Sequence, residues 1–263
     1  MRRCLALLAV AAALPALADD WRDELTPLAP GKFPPPRALT ANYRFGWGAL
    51  SAAEAQVDFS GKKKGQLELK LSAKTTGAVR ALWRMDAQHT ARCSAATLQP
   101  ISLQQTEQYR RKTEKTKAEF TPDAVVRTQE IEPPEATPPK PKRFEFPNVA
   151  DLHSALLLVR SQRLREGDRY SLVVFPARTA YLAHIDVLGR ERIKAAGQNY
   201  DAVKVQISLQ HIDKKMQLEP HSKFKSAFAW VSDDKDRLLL KVQAEVFVGS
   251  IWMELRSVKF AGE

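Results

Sequence analysis

From Phe224 to Phe260 the chain alternates. Phe224, Ser226, Phe228 and Trp230 fall at every second position, and Ser232-Asp233-Asp234-Lys235-Asp236 then supplies a polar turn. Leu238, Leu240, Val242, Ala244, Val246 and Val248 continue the pattern, with Lys241, Gln243 and Glu245 between them. Gly249-Ser250 interrupts, and Ile251, Met253 and Leu255 resume against Glu254 and Arg256. Successive side chains of a strand point to opposite faces, so the run specifies an antiparallel sheet with one buried face.

The same signature recurs upstream. Leu39, Ala41, Tyr43, Phe45 and Trp47 alternate with Thr40, Asn42 and Arg44. Gly46 and Gly48 flank Trp47, which predicts a bulge or a place where the backbone must approach something closely. Ala53 to Phe59 and Leu67 to Ala73 read as a hairpin. Ile101 to Lys112, Glu114 to Phe120 and Val125 to Ile131 are strands polar on both faces. Tyr170 to Phe175, Thr179 to Val187, Glu191 to Ala196 and Ala202 to Leu209 follow. Leu188-Gly189-Arg190 reads as a tight hairpin, Gly197-Gln198-Asn199 as another turn, and 211–222 as a polar loop.

Two segments leave this period. Val79, Leu82 and Trp83 would share one face of a short helix within 75–85. Asp151 to Arg165 predicts the main helix, capped by Asn148 or Asp151 and ended by Gly167. Its core stripe is Leu152, Ala155, Leu156 and Val159, widened by Leu157 and Leu158. Burying four leucines and a valine would contribute roughly 1.5–3 kcal/mol each. The expected fold is therefore mainly β: a large curved antiparallel sheet or half-barrel of about 12–14 strands, with one helix on its concave face.

Met1-Arg2-Arg3, the apolar run from Cys4 to Leu14, and Pro15-Ala16-Leu17-Ala18 describe a secretory signal peptide cut after Ala18. The apolar run is shorter than the roughly 20 residues that span a bilayer. No later stretch is apolar for long enough, so no transmembrane segment is expected in the mature chain, and the compartment is periplasmic or extracellular. Residues 19–37 carry Pro27, Pro30, Pro34, Pro35 and Pro36 and read as a flexible leader. Residues 38–263 form a single β domain. Loss of Arg2 and Arg3 takes the formal net charge from +11 to +9. A basic exported chain suits an anionic envelope surface, whereas export argues against nucleic acid. Cys93 alone remains after cleavage, so no intramolecular disulfide can form.

Chemical motifs are sparse. There is no HExxH, P-loop, GxGxxG or GxSxG, and no cofactor or metal is expected. His211 with Asp213 has the makings of a ligand pair but reads better as two solvated loop residues. Asp233, Asp234 and Asp236 lack the glycine and distant glutamate of a calcium loop. Cys93 reads as a small buried side chain rather than a nucleophile. Trp47, Trp83, Phe228 and Trp230 are the candidate lining of an apolar cavity between sheet and helix. Arg110, Arg111 and Lys115 form a basic cluster suited to an anionic surface.

Several short patterns, in order, resemble a bacterial exported family known as domain of unknown function 3108. They are Tyr43-Arg44-Phe45-Gly46-Trp47-Gly48 followed by Ala53-Glu54-Ala55, then the helix Asp151-Leu152-His153-Ser154-Ala155-Leu156. Gly189-Arg190-Glu191, Trp230-Val231-Ser232-Asp233-Asp234 and Gly249-Ser250 complete the series. Ala53 stands where the family usually has glycine, and Leu152 where it usually has proline. The resemblance spans about Leu39 to Leu255 and implies fold and compartment, but no reaction. Two functional readings follow. One is a non-enzymatic protein that binds a lipid-like or envelope-derived ligand in a sheet–helix cavity. The other is an interaction module that holds a protein or an anionic envelope polymer through basic strands. An unrecognised hydrolase is the least supported.

Overall fold

The computed structural model describes residues 20–27, 29–134, 137–146, 148–221, 224–246 and 249–262. The expected signal peptide lies outside them, as do Phe247 and Val248 of the last alternating run. The first strands are β1 (Leu39–Trp47), β2 (Leu50–Lys63), β3 (Gln66–Thr75), β4 (Met85–Ser94) and β5 (Pro100–Tyr109). Then come β6 (Thr113–Thr121), β7 (Ala124–Glu132), β8 (Lys142–Glu145) and the two-residue β9 (Val149–Ala150). Next are β10 (Arg169–Val174), β11 (Tyr181–Ala195), β12 (Gln198–Ile212) and β13 (Leu218–Pro220). The series ends with β14 (Phe224–Ser232), β15 (Leu239–Val246) and β16 (Ser250–Phe260). Helix α1 is Gly77–Leu82 and α2 is Leu152–Ser161.

All sixteen strands belong to one open sheet, ordered β8-β7-β6-β5-β4-β3-β2-β1-β16-β15-β14-β12-β11-β10-β9, with β13 on β12. Pairing is antiparallel except between β10 and β9. The count exceeds the expected 12–14 because β8, β9 and β13 are too short to show a period.

Alternation sorts the side chains. Phe59, Leu67, Leu69, Val203, Val205 and Ala229 share the face that packs on α2. Leu172 and Val174 of β10 join them. Val173 and Phe175 point the other way, and meet Leu103, Ala118 and Val125 from β5–β7. Phe175 also stacks near Phe144, at 4.9 Å between centroids. The back of β10–β11 is therefore covered by the concave face of β5–β8. The sheet rolls past one full turn and overlaps itself, with α2 at the centre.

The concave face is not uniformly apolar. Register places Glu107 opposite Ala87 and Glu114, and His89 opposite Leu71 and Gln105. Glu114 is nevertheless buried. Arg178 and Gln129 donate to it at 2.6 and 3.3 Å, and Lys112 also bonds it. A buried carboxylate needs such partners.

Four local expectations are corrected. Gly189 does not reverse the chain. It sits at φ +140°, where a bulge shifts the register between Val187 and Gly189, and β11 runs straight through. The reversal comes at Ala196-Gly197, both at positive φ (48° and 80°), the pair of angles a two-residue hairpin turn demands. The polar loop after His211 contains the β12–β13 hairpin. Helix α2 stops at Ser161, short of Arg165, and Leu152 is 55% exposed while Leu157 and Leu158 are buried. The helix is gripped along its Leu157–Leu158 flank because the roll surrounds that side.

The leader is the fourth correction. Expected to be flexible, residues 20–27 and 29–37 are pinned along the molecule. Trp21 is buried and donates from Nε1 to Met216 O at 3.0 Å. Thr26 and Ser171 exchange two hydrogen bonds of 2.8 and 2.9 Å, which covers part of β10's free edge. Gly31 lies so close to α2 that a Cβ there would be 2.1 Å from Ser161 O. Arg160 donates to Pro34 O at 2.9 Å, and the Arg237 guanidinium lies 3.8 Å above the Phe33 ring. Proline restricts the conformations this strap loses on docking, so a proline-rich segment can be ordered at modest cost.

Candidate functional site

The space between α2 and the sheet is filled. Asp151 caps the helix, accepting from His153 N at 2.7 Å and from Ser154 N at 3.1 Å. Ser154 Oγ also donates to it at 2.7 Å. Cys93 lies beside this cap, and burial, with the Asp151 charge, pushes its thiol pKa up to about 12. That suits a packed side chain, not a nucleophile. Burial likewise lowers the pKa of His153. The void lined by Phe59, Leu67, Leu69, Cys93, His153 and Leu157 measures about 10 Å³. That is no more than one water's space.

The four aromatic residues do not converge on it. Trp47 is 51% exposed and Trp83 54% exposed. Phe228 and Trp230 are neighbours, with centroids 6.4 Å apart. They point away from α2, because Ala229 between them joins the core around the helix. Lys204 stands 5.2 Å from both rings, and Trp230 donates to the Glu191 carboxylate. Trp230 is instead buried in a separate apolar cluster with Ala41, Tyr43, Leu240 and Leu255, against which Phe228 packs.

The outer face of β1–β4 instead carries a groove of about 690 Å³. Two rows of side chains floor it. Arg44, Glu54, Lys74 and Asp86 lie opposite one another on successive strands. Asn42, Gln56, Ser72 and Gln88 form the next row. Successive members are about 4.8 Å apart, the spacing of strands. Arg256 is the extra residue where the β1–β16 register slips between Asn42 and Tyr43, and the bulge turns it into the groove. Arg80 clasps Asp86 through two bonds of 2.9 Å and, with Arg84, holds its carboxyl below the usual range.

Arg44, in the groove, lies 5.5 Å above the Trp252 ring. Trp252 lies flat on Gly46, where a Cβ would come within 2.0 Å of the indole, and it donates to Gly48 O at 2.9 Å. The close approach expected at Gly46 is thus an indole. Sequence reading missed the groove itself, because a row of polar residues on alternate positions is indistinguishable from any solvated face. Only the register, which lines up four amide and hydroxyl groups across strands, gives it away.

The basic residues are split. Arg110 and Arg111 sit in the β5–β6 turn, with Arg110 donating to Ala81 O at 2.6 Å. Lys115 lies further along β6 and pairs with Glu132 at 2.6 Å. His211 is held by Thr179 and Glu219, each at 3.2 Å. Asp213 caps Lys215 N and Gln217 N at 2.8 and 2.7 Å. Asp234 accepts from Ser232 Oγ, Asp236 N and Arg237 N and so builds its own turn. Among the described residues no group of three His, Cys, Asp or Glu is placed to hold a metal. Ser171 Oγ is 2.9 Å from His184 Nδ1, but Ser171 is buried beneath Thr26. Among the described residues no helix is long and apolar enough to cross a membrane.

No curated protein matches the chain. Among solved structures, a β-barrel-like protein of domain of unknown function 1849 from Brucella abortus superposes with a TM-score of 0.60 at 8% identity, covering 86% of this chain and 99% of that one. A protein from Bacteroides fragilis, described as exported with a YmcC-like fold, gives a TM-score of 0.37 at 7% identity, covering 88% and 100%. A protein from Parabacteroides distasonis described as a lipoprotein gives 0.38 at 9%, covering 88% and 99%. The first shares the rolled-sheet fold, and at that identity nothing more is carried over. The profile of the family described as "Protein of unknown function (DUF3108)" matches residues 42–256, and the chain belongs to that family.

Proposed function

We propose that the protein is a non-enzymatic, exported component of the cell envelope that binds a polar envelope polymer, of saccharide type, in the groove outside β1–β4. The observation that carries this reading is the contrast in space. The void between α2 and β2–β4 measures about 10 Å³, while the outer groove has about 690 Å³. The groove's chemistry suits a polyhydroxylated chain. Asn42, Gln56 and Gln88 offer both donors and acceptors, and Arg44, Lys74 and Arg256 balance Glu54 and Asp86 closely enough to favour a weakly charged ligand. Trp252 supplies an apolar face beside them. The signal-peptide pattern of residues 1–18 supports the compartment.

Titration of the full chain with soluble envelope glycan fragments, followed by calorimetry, tests this. Binding is expected, and Gln56→Ala with Gln88→Ala should weaken it roughly tenfold through lost hydrogen bonds. Absence of binding by the unaltered protein, or equal binding by the double variant, rejects the groove.

A further inference from the structure

Large exposed apolar side chains are not scattered over this molecule. Trp47, Leu50, Leu82, Trp83 and Ile251 all stand at one end of the roll, leaving only Ile101, Leu152 and Leu188 elsewhere among the described residues. Register holds the first group together: Trp47 lies opposite Leu50 on one side and Ile251 on the other. Helix α1 is tied to the same end, since Thr76 N donates to Ala52 O at 2.9 Å. The β5–β6 turn is tied to α1 in turn. Arg110 bonds Ala81 O, and the Trp83 and Tyr109 rings are 6.4 Å apart.

The charge at this end is mainly positive, with Glu132 at the end of β7 lying opposite Thr113 beside it. Segments 47–53, 75–85, 109–113 and 249–252 contain Arg80, Arg84, Arg110, Arg111 and Lys112 and no Asp or Glu. Arg80 and Lys112 are occupied by Asp86 and Glu114 just inside the rim. Arg110 spends one nitrogen on a backbone carbonyl, and Arg111 is exposed without an ion pair to another described residue. Leu82, at 85% exposure, and Trp83 project from the end of α1.

We infer that this rim docks on an anionic lipid bilayer. The rim runs along the ends of β16, β1, β2, β3, β4, β5 and β6, six strand spacings or roughly 29 Å. Its apolar groups come from separate turns and a short helix at the same end of the sheet. Indole and leucine side chains flanked by arginines match the boundary between head groups and acyl chains. Each arginine brought to an anionic surface strengthens binding roughly fivefold. The inference is independent of the groove, which lies on the side of the roll.

Co-sedimentation of the full chain with vesicles of phosphatidylglycerol and phosphatidylcholine, against phosphatidylcholine alone, reads the partition directly. Arg110→Glu with Arg111→Glu should weaken partition at least 25-fold, the square of the single-arginine effect. Leu82→Ser with Trp83→Ser should weaken it at least tenfold. Arg192→Glu with Lys194→Glu, the same charge change on the β11–β12 hairpin, should leave it within about twofold. Brominated phosphatidylglycerol should quench tryptophan emission, and Trp47→Phe with Trp83→Phe should remove most of that quenching while leaving the fold untouched. Rim variants that sediment like the parent, a far-end reversal that weakens binding as much, or quenching that survives the double Phe change each overturn the inference. So does a rim that captures a protein partner while ignoring vesicles.

Discussion

The concave face of the sheet has two halves that share one period and differ in content. On β2, β3, β10 and β12 it presents Phe59, Leu67, Leu69, Leu172 and Val205 to α2. On β4 to β7 the same parity presents His89, Glu107, Glu114 and Gln129. The first half faces the Leu157–Leu158 flank of the helix, where a polar group would lose its water without compensation. The second faces the back of β10–β11 and the loop that carries Arg178, which reaches Glu114 at 2.6 Å. Glu107 takes a 2.9 Å bond from Tyr109 Oη, and His89 lies 3.8 Å from it. One strand period can thus build a dry wall or a hydrogen-bonded one, and what lies opposite decides which is stable.

Mutations that act on one half at a time break or sharpen this contrast. The largest effect belongs to the dry half. Leu158 is 3% exposed within α2, and Leu158→Ala should cost about 2–5 kcal/mol in urea unfolding, the range for emptied leucine sites. In the polar half, Glu114→Gln should cost about 1–2 kcal/mol, because Arg178 can turn to solvent when its partner is lost. If the Gln change proved the more damaging, the polar network and not the helix would be the main support of the roll.

The smallest effect is one of pH. Burial lowers the pKa of His153 from the ordinary value of 6.5. The unfolded chain therefore binds this proton first as pH falls. Stability should be complete above about pH 6.5 and decline below it until the folded-state value is reached. His153→Gln should flatten that slope in melts taken across the same range. Asp151, His89 and the Arg92 side of β4 face this site, and the imidazole's response sharpens the comparison by reporting dryness at the edge of the helix-backed half.

Particular residues show what could be read in advance. The turn at Ser232–Asp236 and the alternation on either side of it were explicit, because local chemistry sets both. So was the constraint at Gly46, although the indole that imposes it is distant in sequence. Gly189 misled, since glycine permits a bulge as readily as a reversal, and the choice depends on whether the partner strand continues. The proline-rich leader misled for a related reason. Nothing local to Phe33 or Pro34 announces Arg237 or Arg160, which hold them from the far end of the chain. Trp47 and Trp83 read as the lining of an apolar cavity, yet both are exposed, because their place depends on where β1 ends and how α1 is hung.

By itself, the order of residues determined that this chain forms one antiparallel sheet around an apolar helix, because side-chain parity and helical spacing are properties of a few neighbouring residues. It was left to the tertiary structure to decide that the sheet rolls over itself, that the interior is filled, and that a polar groove and an apolar basic rim remain outside. Those outcomes depend on register, bulges and long-range contacts between segments some two hundred residues apart, such as Trp252 with Gly48 and Arg37 with Asp236, whose energies appear only once the chain has closed.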